Sequence, residues 1–133
     1  MLIPMYLMLV LTLFIGTYTV LGRIRSVSKG EVKIKTYRTM DYDAMPEKLA
    51  VAGRCFNNQF EVPTLFYAVG VLSLAMNLVT PILVGLAWVF VVSRFIHAYV
   101  HLTSNNVLHR MLVYIIGVLI VFAMWTYVLL NLA

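Results

Sequence analysis

Charge is scarce in this sequence: of 133 residues, five are acidic and ten basic. A soluble domain carries about 25% charged and about 45–50% apolar residues. Here 11% are charged and 62% hydrophobic, with a mean hydropathy of +0.93, which excludes an ordinary soluble fold. Cysteine is nearly absent too. The lone Cys55 cannot form an internal disulfide, so nothing depends on an oxidising compartment. No internal repeat or low-complexity tract is present, and the length allows one domain over residues 1–133. The net charge of +5 is no nucleic-acid signature, because most of the charge is confined between Arg23 and Lys48.

What the sequence has in abundance is long apolar runs. No charge interrupts Leu2 to Gly22, and about 20 apolar residues suffice for a helix to cross the roughly 30 Å hydrocarbon core. No Lys or Arg precedes this run and no small-x-small site closes it, so it reads as an anchor rather than a signal peptide. Further spans are expected from about Leu49 to Leu78, Pro81 to Leu102 and about Met111 to Ala133. Thr80 is the expected N-cap before Pro81, and Asn105 or Asn106 the cap of the last helix. The fold class is therefore an all-α integral membrane protein, a bundle of four transmembrane helices with one long polar connection over residues 23–48. That loop holds Arg23, Arg25, Lys29, Lys33, Lys35, Arg38 and Lys48, so it is expected on the cytoplasmic side, with both termini on the other. The membrane would be the inner one in a bacterium or the endoplasmic reticulum in a eukaryote. Trp125 and Tyr127 fit an aromatic belt at the far surface.

Polar residues inside membrane helices are costly and by default mark function. Arg54, Asn58 and Glu61 fall within about 60° of one another on a helix, forming one stripe. Arg94, His97 and His101 share a face of the third span, and Arg110 and Tyr114 open the fourth. At 1.5 Å per residue, Glu61 lies about 20 Å from the start of its span and Arg94 about 12 Å from the end of the next, so these groups overlap in depth. One carboxylate cannot neutralise three guanidinium groups, although Arg54 could pair with Glu61 to hold the bundle together. The surplus cations call for an anionic ligand with planar carboxylates or phosphate. A small zwitterion with more than one carboxylate satisfies the whole set, and an anionic lipid headgroup most of it. A metal is not expected at His97, His101 and Glu61: the pair lacks the adjacent Glu of HExxH, and nearby cations oppose another. Cys55, Tyr99 and the methionines read as packing residues, and His109 as a loop residue at the surface.

Arg54-Cys-Phe-Asn-Asn58-Gln-Phe-Glu61, together with Arg94-Phe-Ile-His97-Ala-Tyr-Val-His101 and Arg110-Met-Leu-Val-Tyr114, resembles the signature of the MAPEG family, the membrane-associated proteins of eicosanoid and glutathione metabolism. The spacing is similar to that of its microsomal glutathione transferase and prostaglandin E synthase members. The resemblance implies a homotrimer binding glutathione between subunits, and a lipophilic co-substrate arriving from the membrane lipids. It further implies that Arg54, Asn58 and Glu61 hold glutathione, that Arg94, His97 and His101 line the site, and that Arg23 adds a contact from the neighbouring subunit. Arg110 would be the catalytic cation that stabilises the thiolate, assisted by Tyr114. The expected activity is a glutathione-dependent transferase or peroxidase acting on a lipophilic electrophile or lipid peroxide. The alternative is a non-catalytic lipid- or partner-binding member, comparable to the family's lipoxygenase-activating branch. A small transporter is disfavoured because no discontinuous helix is evident in matching halves. The chain departs from the pattern at Met111, where some members have serine, at His101, where several have tyrosine, and at Pro63, which should release the carbonyl of Gln59 and kink the helix.

Overall fold

The structure is a computed structural model, described here over residues 1–131. Among these residues all regular structure is helical: α1 (Leu2–Ser28), α2 (Ile34–Arg38), α3 (Glu47–Asn57), a 3₁₀ turn (Asn58–Phe60), α4 (Val62–Ala75), α5 (Pro81–Leu102) and α6 (Val107–Leu130). The expected last span reached Ala133, so its final two residues lie outside the described part. Three helices, α1, α5 and α6, are singly long and apolar enough to cross a membrane. Only 22% of the apolar stretch of α6 is buried within the chain, and Leu119, Phe122 and Leu129 of that helix are exposed.

The second expected span is not one helix. Pro63 cannot donate a backbone hydrogen bond, and the chain tightens into the 3₁₀ turn and breaks at Glu61 (φ −94°, ψ −105°) before restarting as α4. The interruption goes beyond the expected kink. Among the described residues it occurs in one segment only, without the matching break that a transporter repeat would show.

Other boundaries shift for local reasons. The first helix continues six residues past Gly22, because Gly22 does not stop it. Gly30 does: its φ of +71° closes a Schellman turn in which Glu31 N–H donates to Ser26 O at 3.0 Å. Asn77 (φ +55°) ends α4 in the same way, with Leu78 N–H on Ser73 O at 2.9 Å, three residues before the expected end. Thr80 caps α5 as expected, accepting from Leu83 N–H at 3.3 Å. Asn106 caps α6 by accepting from His109 N–H at 3.1 Å, so that helix begins at Val107 rather than near Met111. His109 thus sits in a first helical turn, not in a loop.

The segment α3–α4 lies antiparallel to α1. Thr19 Oγ1 donates to Ala52 O at 3.3 Å, while Tyr67 OH donates to Met5 O at 3.4 Å near the opposite end. Gly16 permits the close approach: a Cβ there would stand 2.9 Å from the Phe56 ring. The core joins Met8, Leu11 and Ile15 of α1 to Phe66 and Val69 of α4, Leu83 and Phe90 of α5 and Met124 of α6. At its centre Phe66 and Phe90 stack at 4.5 Å. The indole N–H of Trp125 donates to Leu65 O at 3.2 Å, tying α6 to α4.

Phe66 is fully buried, whereas its neighbour Leu65 is 53% exposed. Phe66→Ala should destabilise the detergent-solubilised protein by about 3–5 kcal/mol, and Leu65→Ala by far less. Thermal unfolding of both variants checks this; equal midpoints would mean the aromatic stack does not hold the helices together.

Candidate functional site

A cavity of about 360 Å³ is lined by Arg54 and Asn58 from α3 and the 3₁₀ turn, by Glu61 at the break, by His97 and His101 of α5, and by Val107, Arg110, Met111 and Tyr114 of α6. Seven of the nine expected site residues therefore meet at one place. Straight helical spacing put Arg54, Asn58 and Glu61 on one stripe; the interrupted helix still delivers all three to one cavity. Rim residues Arg54, Glu61, Val107 and Met111 are exposed, so the cavity opens at the surface of the single chain.

Arg94 is not part of the lining. Its guanidinium is fully buried behind the cavity, and Nη2 donates to the backbone oxygen of Asn58 at 3.3 Å. The break explains that contact. In a continuous helix the Asn58 carbonyl would accept from Val62 N–H, but Val62 is instead the first residue of α4, which leaves the oxygen to Arg94. Nε and Nη1 of Arg94 are buried without a partner, as are Asn58 Oδ1 and the Nδ1 atoms of His97 and His101. Buried polar atoms in such number are costly unless a ligand or water meets them.

Arg23 lies elsewhere. Its guanidinium sits 5.6 Å from the centre of the Tyr37 ring, on a separate cavity near the end of α1. Within one chain it does not join the other site residues.

The carboxylate of Glu61 is not neutralised by Arg54: the ion pair found among the described residues is Lys29–Glu31, at 4.0 Å. Glu61 Oε2 instead accepts from Tyr114 OH at 3.4 Å. Arg54 is placed differently, with its guanidinium 5.9 Å from the centre of the Tyr42 ring, and Tyr42 OH accepts from Asn57 Nδ2 at 3.2 Å.

Arg110 is the most constrained cation. Its Nη1 donates to Asn105 Oδ1 at 2.8 Å and lies 2.9 Å from His101 Nε2. Arginine only donates, so His101 Nε2 must accept, which leaves the ring proton on Nδ1. Both hydrogens of Nη1 are thereby used, and Nε and Nη2 remain for a ligand. Asn105 and Tyr42 were not among the expected site residues. A signal existed for Asn105: it adopts φ +47°, a left-handed conformation that asparagine tolerates better than most residues, just before the α6 cap. Nothing in the spacing of Tyr42 marks it, because its role depends on how the loop folds back.

Two cations at an open cavity, Arg54 and Arg110, with a third buried behind it, face one carboxylate. A ligand carrying carboxylates would meet the free donors, while Glu61 and Asn58 Oδ1 offer acceptors to an ammonium or amide. No curated protein and no solved structure matches the chain significantly. A family profile, that of the MAPEG family, matches residues 1–130. This is a multi-pass membrane protein of the MAPEG family, whose members include glutathione transferases, peroxidases and eicosanoid synthases.

Proposed function

We propose that this protein is a glutathione-dependent transferase or peroxidase that turns glutathione into a reactive thiolate against a lipophilic electrophile or lipid peroxide. The observation that carries the reading is the polar cavity at which Arg54, Asn58, Glu61, His97, His101, Arg110 and Tyr114 converge from separate helices. Glutathione fits that donor set: it offers two carboxylates to the guanidinium groups, and an ammonium and amides to Glu61 and Asn58 Oδ1. When bound it supplies a thiol whose ordinary pKa lies near 8.5 and whose reactive form is the thiolate.

The residues divide the work by chemistry. Arg54 offers a forked donor to a carboxylate at the rim. Glu61 holds an ammonium, and its bond from Tyr114 keeps the carboxylate turned toward the cavity. Arg110 keeps Nε–H and Nη2–H free for the thiol, and a fixed cation in contact with sulfur favours its ionised form. Tyr114 has one hydroxyl hydrogen to give, and it passes from Glu61 to the sulfur once an ammonium takes the carboxylate. His97 and His101 close the inner wall, and Arg94 behind them adds positive potential.

In this reading α3 and α4 together form one pass, making four. The opposed directions of α1 and α3–α4 support that count, and the basic segment 23–48 supports an orientation with both termini away from the cytoplasm. Three copies assemble so that a neighbour covers the open rim, since four helices hardly surround a tripeptide. The exposed apolar faces of α1 and α6 are available for that contact and for lipid. Which membrane holds the assembly depends on the source.

The decisive experiment is ultraviolet difference spectroscopy of the purified protein titrated with glutathione at neutral pH. A saturable thiolate band is expected, and Arg110→Ala should lose it while keeping its oligomeric state. Neither band nor binding would leave the arginines to a lipid headgroup or a partner. Glu61→Gln should weaken glutathione binding roughly tenfold or more, as loss of a charge-assisted bond does; unaltered affinity would make Glu61 structural.

Asn105 gives a finer check. Asn105→Gly keeps the left-handed backbone but removes the acceptor of Arg110, and should diminish the thiolate band with little change in glutathione affinity. Asn105→Asp keeps an oxygen there but adds a negative charge beside Arg110, and should hold the guanidinium in place while weakening the band. A full band in Asn105→Gly would reduce Asn105 to a turn residue.

A further inference from the structure

The net charge of the chain is +5, and the whole of it resides in residues 23–38. That segment holds six cations, Arg23, Arg25, Lys29, Lys33, Lys35 and Arg38, against one acid, Glu31. The remaining four cations and four acids cancel. The cations do not trail on a loose loop. The Schellman turn at Gly30 reverses the chain, Tyr37 OH lies 2.7 Å from Ser26 Oγ, and the Tyr37 ring lies beside Arg23. These contacts fold α2 back against the end of α1 and make a corner.

The corner has a floor and walls of different character. A cavity of about 270 Å³ lies between Arg23, Ile24, Val27, Ser28, Ile34 and Tyr37. Arg23 Nε is buried without a hydrogen-bond partner. Ile34 is 76% exposed and Ile24 56% exposed, an unusual display of aliphatic surface amid lysines and arginines. Water alone does not favour that combination. A molecule with an anionic head and apolar chains satisfies both parts, and the corner stands where α1, an apolar helix long enough to span, gives way to polar chain.

We propose that the α1–α2 corner is a binding site for an anionic phospholipid. Its phosphate is met by Arg23 with Lys33, Lys35 and Arg38 around it, and its first acyl carbons lie on Ile24 and Ile34. Clusters of four to eight cations directly beside a membrane helix attract anionic headgroups, and here the apolar wall converts a general attraction into a seat. The site is separate from the Arg110 cavity and does not depend on the glutathione reading.

The test titrates the whole detergent-purified assembly with phosphatidylglycerol, phosphatidylcholine or inorganic phosphate, reading bound molecules by native mass spectrometry and thermal midpoint in parallel. Phosphatidylglycerol should bind saturably and raise the midpoint, and the other two should do neither. Replacing Lys33, Lys35 and Arg38 together by Gln should weaken phosphatidylglycerol roughly a hundredfold, given the worth of each cation at an anionic surface. Ile34→Ser should weaken it several-fold at unchanged charge, and Lys48→Gln, a cation outside the corner, should have no effect. A loss from Lys48→Gln equal to that from Lys35→Gln would make the attraction diffuse and overturn the site. Tight binding of inorganic phosphate would make it a plain anion site. Resistance of Lys33 and Lys35 to an amine reagent in lipid-free protein would mean that another copy covers the corner, and would overturn the proposal as well.

Discussion

A guanidinium buried among apolar helices must find acceptors, and this chain supplies one by breaking a helix. Arg94 has no exposed surface, and its one hydrogen bond is to the carbonyl of Asn58. That carbonyl is free because Pro63 and the 3₁₀ turn interrupt what would otherwise be a continuous segment. The same interruption turns Asn58 and Glu61 toward α5 and α6. Remove the break, and the Asn58 carbonyl returns to the helix ladder while Arg94 loses its partner, a change expected to cost more than the helix would gain.

Around that contact the polar groups are arranged by what each can donate or accept. Arg110 is fixed on one edge by Asn105 and His101 and keeps the other edge open. Glu61 takes the hydroxyl of Tyr114 rather than a guanidinium. A network built only to hold helices together would pair its carboxylate with Arg54 or Arg110. This one leaves cations, and several buried polar atoms, without a protein partner, to be met by a ligand or by water.

The charge is divided between two places with different chemistry. Near the break it is small in net amount, partly buried and aimed at an open cavity, so geometry controls what it holds. At the α1–α2 corner it is large in net amount and mostly exposed, so its reach is set by screening over about 8–10 Å of salt solution. Arg23 belongs to the second place within a single chain, whereas the resemblance assigns it to the first as a contact from the neighbouring subunit.

The sequence by itself determined the membrane character, the long apolar helices and most of the candidate site. Those depend on composition and on the 3.6-residue period, which are local properties, and they led to Arg54, Asn58, Glu61, His97, His101, Arg110 and Tyr114. Thr80 was legible as a cap for the same reason, and Asn106 as one of two candidates with Asn105. The helix ends were harder, because Asn77 and Gly30 act through a left-handed backbone that their neighbours permit but do not announce. Only the tertiary structure decided that Arg94 stands behind the cavity rather than in it, that Asn105 grips Arg110, and that Arg23 lies under Tyr37. Each of these is a meeting of side chains or carbonyls from different segments, and spacing along one helix carries no information about which group of another helix will fill an unsatisfied hydrogen bond.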